Sequence, residues 1–386
     1  MSAIDEAIQI LNKQWYVAVT TGLGLDPSQF QLMQGNCALG TTSQSIWNIT
    51  DAIPPVSVNN YFNPNSFNHF SQTYEAVINN LNSQQNYKLQ ELLGDSYDDW
   101  AAYRKNYILQ NPDKTQIDAF SVWGKANLDN SDLNKGITYL KQKDVVSTAV
   151  DMLYAANNQY AYNITIDDVK YAISKAVTKT ITMDSRNSSS DISKSWAKGS
   201  ASSRYGFFSA SASASWSKYT SIFIEKGFSM NATFKHVATI SSSPYATKTS
   251  ASAFSKFNPW FYSPALKAAK SDPSNLTWQQ GNPSWDSTFG PNGNLLRLNS
   301  GLIVVDGVQT TITLDVDYSS IDQQELSASL KGGYWPFFSA EGSGGWSHQV
   351  SKSDNGKLVI TSNQPEGNYT ILGALVSPID TVFGNN

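Results

Sequence analysis

The chain has 386 residues, 40% hydrophobic and 12% aromatic, a composition that builds a real core and excludes disorder. Only 15% of residues are charged and the formal net charge is −4. Phosphate recognition needs concentrated Lys and Arg, so no nucleic-acid partner is expected.

The N-terminus, MSAIDEAIQ, lacks both the basic and the apolar region of a secretory signal, and no stretch is apolar enough for a membrane-spanning helix. Cys37 is the only cysteine, so no intrachain disulfide can form. These features predict a protein made soluble in the cytoplasm, with release by a route other than a signal peptide as the alternative.

Residues 1–175 read as mainly helical. Ile4, Ile8, Leu11 and Trp15 share one helical face, behind a capping box of Ser2 and Asp5. Segment 66–82 carries an apolar stripe of Phe67, Phe70, Tyr74, Val77, Ile78 and Leu81. Ser96 with Asp99 predicts the start of a third helix. Ile117, Phe120 and Trp123 mark a fourth, residues 145–158 a fifth, and Thr165 with Asp168 caps a sixth.

Near Val177 the apolar period falls from about 3.6 to 2, the period of a strand. In 208–224 the even positions hold Phe208, Ala210, Ala212, Ala214, Trp216, Ile222 and Ile224, and the odd positions are almost all Ser. Lys218 is the one charge on the apolar side. Segments 228–240, 302–318, 357–362 and 368–376 read as further strands.

The β half contains an internal repeat. FFSASASASWSK at 207–218 matches FFSAEGSGGWSH at 337–348, and Thr180–Asp184 (TITMD) matches Thr311–Asp315 (TITLD) at nearly the same offset. Such a repeat fixes the architecture before other features are weighed. The expected fold class is α+β: a helical domain over 1–175, then an antiparallel β domain over 176–386. That β domain is built of duplicated units at 176–244 and 307–378, packed as a sandwich or a long twisted sheet. Between the units, 245–300 is rich in aromatic and turn residues, with a short helix starting at Ser263-Pro264.

Chemical motifs fail one by one. The histidines His69, His236 and His348 are scattered and predict no metal site; His236 and His348 read as strand residues, with a weak pH-sensing alternative. Gly345-Trp346-Ser347-His348-Gln349 lacks the closing glycine of a nucleophile elbow. Gly22-Leu23-Gly24 meets Pro27 where a dinucleotide fingerprint needs its third glycine. Asp98-Asp99 and Asp167-Asp168 complement helix dipoles. Cys37 has no evident base. No enzyme activity and no cofactor are expected.

The alternating segment 207–224 therefore leads the functional expectation. A membrane-crossing strand needs about 9–11 residues with one apolar and one polar face, and this segment supplies them. It resembles, in character, the Ser/Thr-rich insertion hairpins of β-barrel pore-forming toxins over some 40 residues. That resemblance implies a pore-forming, membrane-active protein that self-associates on lipid, with Phe208, Ala210, Ala212, Ala214, Trp216, Ile222 and Ile224 facing lipid. Two alternatives stand beside it. One is a lectin-like module that binds glycan through Trp260, Tyr262, Trp278 and Trp285, because aromatic platforms beside amides suit sugars. The other is a self-assembling structural or storage protein. Expected partners are membrane lipid or glycan, and further copies of the chain.

Overall fold

The computed structural model describes residues 3–55, 68–141, 144–186, 222, 225–274, 277–279, 281–320, 323–331 and 343–383. Helix α1 (Ala3–Leu23) runs well past Trp15. The Thr20 hydroxyl returns to the Tyr16 carbonyl at 2.9 Å, and Gly24, at φ 69°, stops the helix in the left-handed region that glycine tolerates. Strand β1 (Phe30–Ala38) follows; its polar interruptions hid it from the sequence pattern.

Eight helices then occupy the described residues to 175: α2 (Ser43–Asp51), α3 (Phe70–Asn79), α4 (Gln84–Leu93), α5 (Tyr97–Gln110), α6 (Gln116–Asn127), α7 (Asn130–Lys141), α8 (Val145–Ala156) and α9 (Ile166–Lys175). The expected stripe on α3 is buried at Phe70, Tyr74, Val77 and Ile78. Thr165 and Asp168 form the expected capping box of α9, and Thr115 with Asp118 makes an unforeseen one on α6. Ser96 precedes α5 without a side-chain cap bond, because a 3-10 turn over Gly94–Ser96 already satisfies that end. The predicted cap Ser2 and the stripe residue Phe67 lie outside the described residues.

The strands are β2 (Val177–Asp184), β3 (Phe228–Ser241), β4 (Arg297–Asp317), β5 (Ser347–Lys352), β6 (Lys357–Gln364) and β7 (Thr370–Pro378). Between them lie α10 (Ser263–Lys270), with Pro264 in its first turn, then α11 (Trp285–Phe289) and α12 (Gln323–Leu330). The α+β class is as expected. All the pairings are antiparallel, in one seven-stranded sheet of order β1-β7-β4-β3-β2. The 21-residue β4 is its hub: β3 lines one edge, while β7 takes the first half of the other edge and β6 the second. β5 extends the sheet beyond β6.

Both faces of the sheet are covered in its upper half, where residues 301–308 of β4 are buried without a break. One core combines Ala238, Ile240, Leu302 and Val304 with α2, α3, α8 and α10. A second packs Trp15, Tyr16 and Val19 of α1 and Leu326 and Leu330 of α12 against Phe228, Met230, Ala232, Phe234, Ile312 and Leu314. A third, around Trp100, Phe120 and Trp123, holds α4 to α7 together. The first core draws residues from both sides of position 176, so the switch from helix to strand separates secondary structure but not one core from another. No helix among the described residues is long and apolar enough to cross a membrane.

Candidate functional site

Below position 308 the sheet changes character. Burial alternates along β4, with Val308, Thr310, Ile312 and Leu314 inward and Gln309, Thr311, Thr313 and Asp315 outward. Antiparallel register places outward residues of four strands in rows, since directly opposed residues share a face. One row reads Thr182, Asn231, Thr311, Thr361; the next reads Thr180, Thr233, Gln309, Asn363. The Thr180 and Thr233 hydroxyls meet at 3.1 Å. The result is a hydroxyl- and amide-lined β surface backed by an apolar core.

The repeated segments hold equivalent places on this surface. TITMD lies in β2 and pairs with β3; TITLD lies in β4 and pairs with β6. Each pair is open at the same end of the sheet. The chain leaves β2 after Asp184 and rejoins at Phe228, where the Ser185 N–H donates to the Phe228 carbonyl at 2.9 Å. It leaves β4 at Tyr318 and rejoins the sheet's core at Lys357, the partner of Asp317. A ladder of charges joins the two exits. Arg186 contacts Asp184 at 2.9 Å and Asp315 at 3.6 Å, and Lys357 contacts Asp315 at 3.0 Å and Asp317 at 3.9 Å. Hydrogen bonds from Arg186 and Lys357 hold the Asp184 and Asp315 carboxyls below their ordinary range.

Of the candidate insertion residues, Phe208, Ala210, Ala212, Ala214, Trp216 and Ile224 lie outside the described residues. Ile222 is half-buried against the second core and sits, with Glu225 and Lys226, in helical rather than extended backbone. The strand expected over 208–224 therefore does not extend through Ile222 in this state.

Two of the aromatic candidates, Trp260 and Trp278, are corrected by their burial. Trp260 is 0% exposed, and its indole N–H donates to the Ala161 carbonyl at 2.6 Å. Trp278 is 4% exposed and donates to the Ala269 carbonyl. Tyr262 and Trp285 are half-buried against the same core, the Trp285 N–H donating to the Lys270 carbonyl at 2.8 Å. A platform for sugar needs an open ring face, which Trp260 and Trp278 lack; these two rings cement the 245–300 segment onto the helices instead.

The histidines also find partners. His69 lies 3.4 Å from Asp51, whose carboxylate also accepts the Ser71 N–H and the Tyr162 hydroxyl and so ties α2 to the start of α3. His348 meets the Ser362 hydroxyl at 2.8 Å and stacks on the buried Trp346. His236 faces Asp306 directly across β3 and β4, and Glu366, from the turn between β6 and β7, closes over them. That turn also walls a cleft of about 340 Å³ between Thr41, Lys170, Gln364, Asn368 and Tyr369. Burial pushes the Asp306 carboxyl up, against the opposing effect of the Gly367 N–H that donates to it at 2.8 Å. Sequence reasoning missed this group because its members, at 236, 306 and 366, meet only through the sheet. Comparison with known protein families, with curated proteins and with solved structures gave no match for this chain.

Proposed function

We propose that the protein is membrane-active and forms a β-lined pore, with the segment 207–224 as its lipid-crossing strand. One observation carries this reading: the alternation of that segment is in phase with β3. In β3 the even residues Phe228, Met230, Ala232 and Phe234 face the core, and the odd residues Ser229, Asn231 and Thr233 face solvent. In 208–216 the even residues are Phe, Ala and Trp and the odd residues are Ser. Extending β3 backwards would continue its apolar face with one apolar face and its hydroxyl surface with another hydroxyl surface. Phe208 to Trp216 is about one bilayer crossing. Lys218 follows it, where a long cationic side chain can reach the interface.

The second exit supports the same reading. It lies at the same end of the sheet, and α12, which covers part of the apolar face, belongs to the segment leaving there. Backbone groups within lipid must all be paired, so only a closed barrel is stable, and eight strands is the practical minimum. Two hairpins per chain, one from each exit, would supply four, so at least two copies must join. Among the described residues β2 and β5 are edge strands, and these are where further strands would add.

The test is dye release from liposomes with native mass measured before and after. Release with a rise in mass is expected. Ala212→Asp should abolish release, because it places a charge on the lipid face, where neither water nor a partner offsets its desolvation. Ser213→Asp, on the lumen side, should retain it. Equal activity of the two variants would remove the phase argument.

A further inference from the structure

The group around His236 holds more than a structural histidine requires. The His236 Nδ1 lies 3.2 Å from the Ala176 carbonyl at the end of α9. A carbonyl only accepts, so Nδ1 donates to it, and Nε2 is the ring nitrogen left to meet a metal. That nitrogen faces Glu366 Oε2 at 3.4 Å, with Asp306 on the opposed strand and only 4% exposed. One ligand atom from each of the three residues lies within 4.8 Å of the other two. Three possible ligand atoms thus lie close together.

The surroundings are arranged for that convergence. Lys235 contacts the other oxygen of Glu366, leaving Oε2 directed at His236. Gly367 donates its N–H to Asp306. Gly307, at φ 64°, has no Cβ; one added there would lie 2.9 Å from the Glu366 Cγ and 3.0 Å from the Lys235 Cβ. Glycine thus lets the turn settle onto the two central strands.

We propose that His236, Asp306 and Glu366 bind a divalent transition-metal ion, zinc foremost. An imidazole with two carboxylates is a nitrogen–oxygen set suited to zinc, and three protein ligands leave a fourth position for water. Zinc bonds of about 2.0–2.1 Å in a tetrahedron place ligand atoms about 3.3 Å apart, close to the Nε2–Oε2 separation of 3.4 Å. The Ala176 carbonyl is the outer-shell acceptor that fixes the tautomer and direction of a metal-bound histidine. The ion would tie α9, the two central strands and the β6–β7 turn together at the rim of the cleft.

The test is calorimetric titration of zinc into the chelator-stripped full chain, with cobalt as a spectroscopic substitute. One ion per chain is expected, with visible bands of low-symmetry cobalt. His236→Ala and Glu366→Gln should each weaken binding by at least about 100-fold, the upper end of losing even an outer-shell partner. Glu366 is exposed, so its variant keeps the fold, and zinc should raise the melting temperature of the wild type but not of this variant. Absence of saturable one-per-chain binding, or wild-type affinity in both variants, overturns the assignment.

Discussion

Replacing Trp260 with Ala tests whether the aromatic 245–300 segment is core. The ring is fully buried and lies within 5.0–6.0 Å of Phe70, Tyr74, Tyr160, Tyr162 and Phe261. A tryptophan buries about 200 Å², which at about 25 cal/mol per Å² is ~5 kcal/mol. Measured aromatic-to-Ala truncations give about 3–5 kcal/mol. Loss of the indole donor leaves the Ala161 carbonyl unpaired in the core, a further cost of about 1 kcal/mol. The expected loss is therefore about 4–5 kcal/mol, a large share of the roughly 5–15 kcal/mol that holds a folded domain. Trp260→Phe keeps most of the ring contacts and should cost about 1–2 kcal/mol, mainly the orphaned carbonyl. Urea unfolding followed by near-ultraviolet circular dichroism reads both. A Trp260→Ala protein within about 1 kcal/mol of wild type would refute the packing argument.

Other expectations follow from the same structure. Trp285→Ala, at a half-buried ring with one carbonyl bond, should cost about 2 kcal/mol, less than Trp260→Ala, by the same urea assay. Burial pushes the Cys37 thiol up to about 11, so iodoacetamide at pH 8 should label the native chain roughly 100-fold more slowly than the unfolded one; equal rates would contradict the burial. The Asp184 and Asp315 carboxyls are depressed by Arg186 and Lys357. Their contribution is present above the unfolded value of 3.8 and lost as pH falls through the lower folded value. Because these groups are accessible to solvent, the acid loss should shrink in high salt, and Arg186→Ala should remove only the side-chain share of the Asp184 part, since the backbone N–H of residue 186 still donates to it. Gly307→Ala should destabilise the chain by about 1–2 kcal/mol, since a Cβ at φ 64° is strained and meets the Glu366 and Lys235 side chains.

What the sequence revealed was local. The stripe on α3 and the capping box at Thr165 need only neighbours within one or two turns, and both are present. The strands β3 and β6 and the second half of β4 were visible because alternation survives wherever one face is wet, and β7 and the first half of β4, buried on both faces, because they read as continuous apolar runs. Missing were α2, α4 and α7, whose polar residues blur the helical period, and β1, which has no alternation to read. The aromatic residues of 245–300 misled because a ring among Pro, Gly and Asn looks exposed until the helices that cover it are placed. Likewise, nothing within thirty residues of His236 announces Asp306 or Glu366; register alone unites them.

The pairing of β1 with β7 sets a condition on how the molecule is made. Phe30 binds opposite Leu375 and Ala38 opposite Thr370, so nearly the whole chain separates the two partners. On a ribosome releasing about 5–20 residues each second, the first strand emerges tens of seconds before its mate. Throughout that interval β1 presents unpaired backbone, and the loop to be closed is close to the longest this chain allows, which makes the step slow. Any nascent chain halted before Thr370 would carry both β1 and the upper edge of β4 unpaired. Synthesis itself therefore becomes the period in which this protein is most exposed to wrong strand partners and most dependent on chaperones.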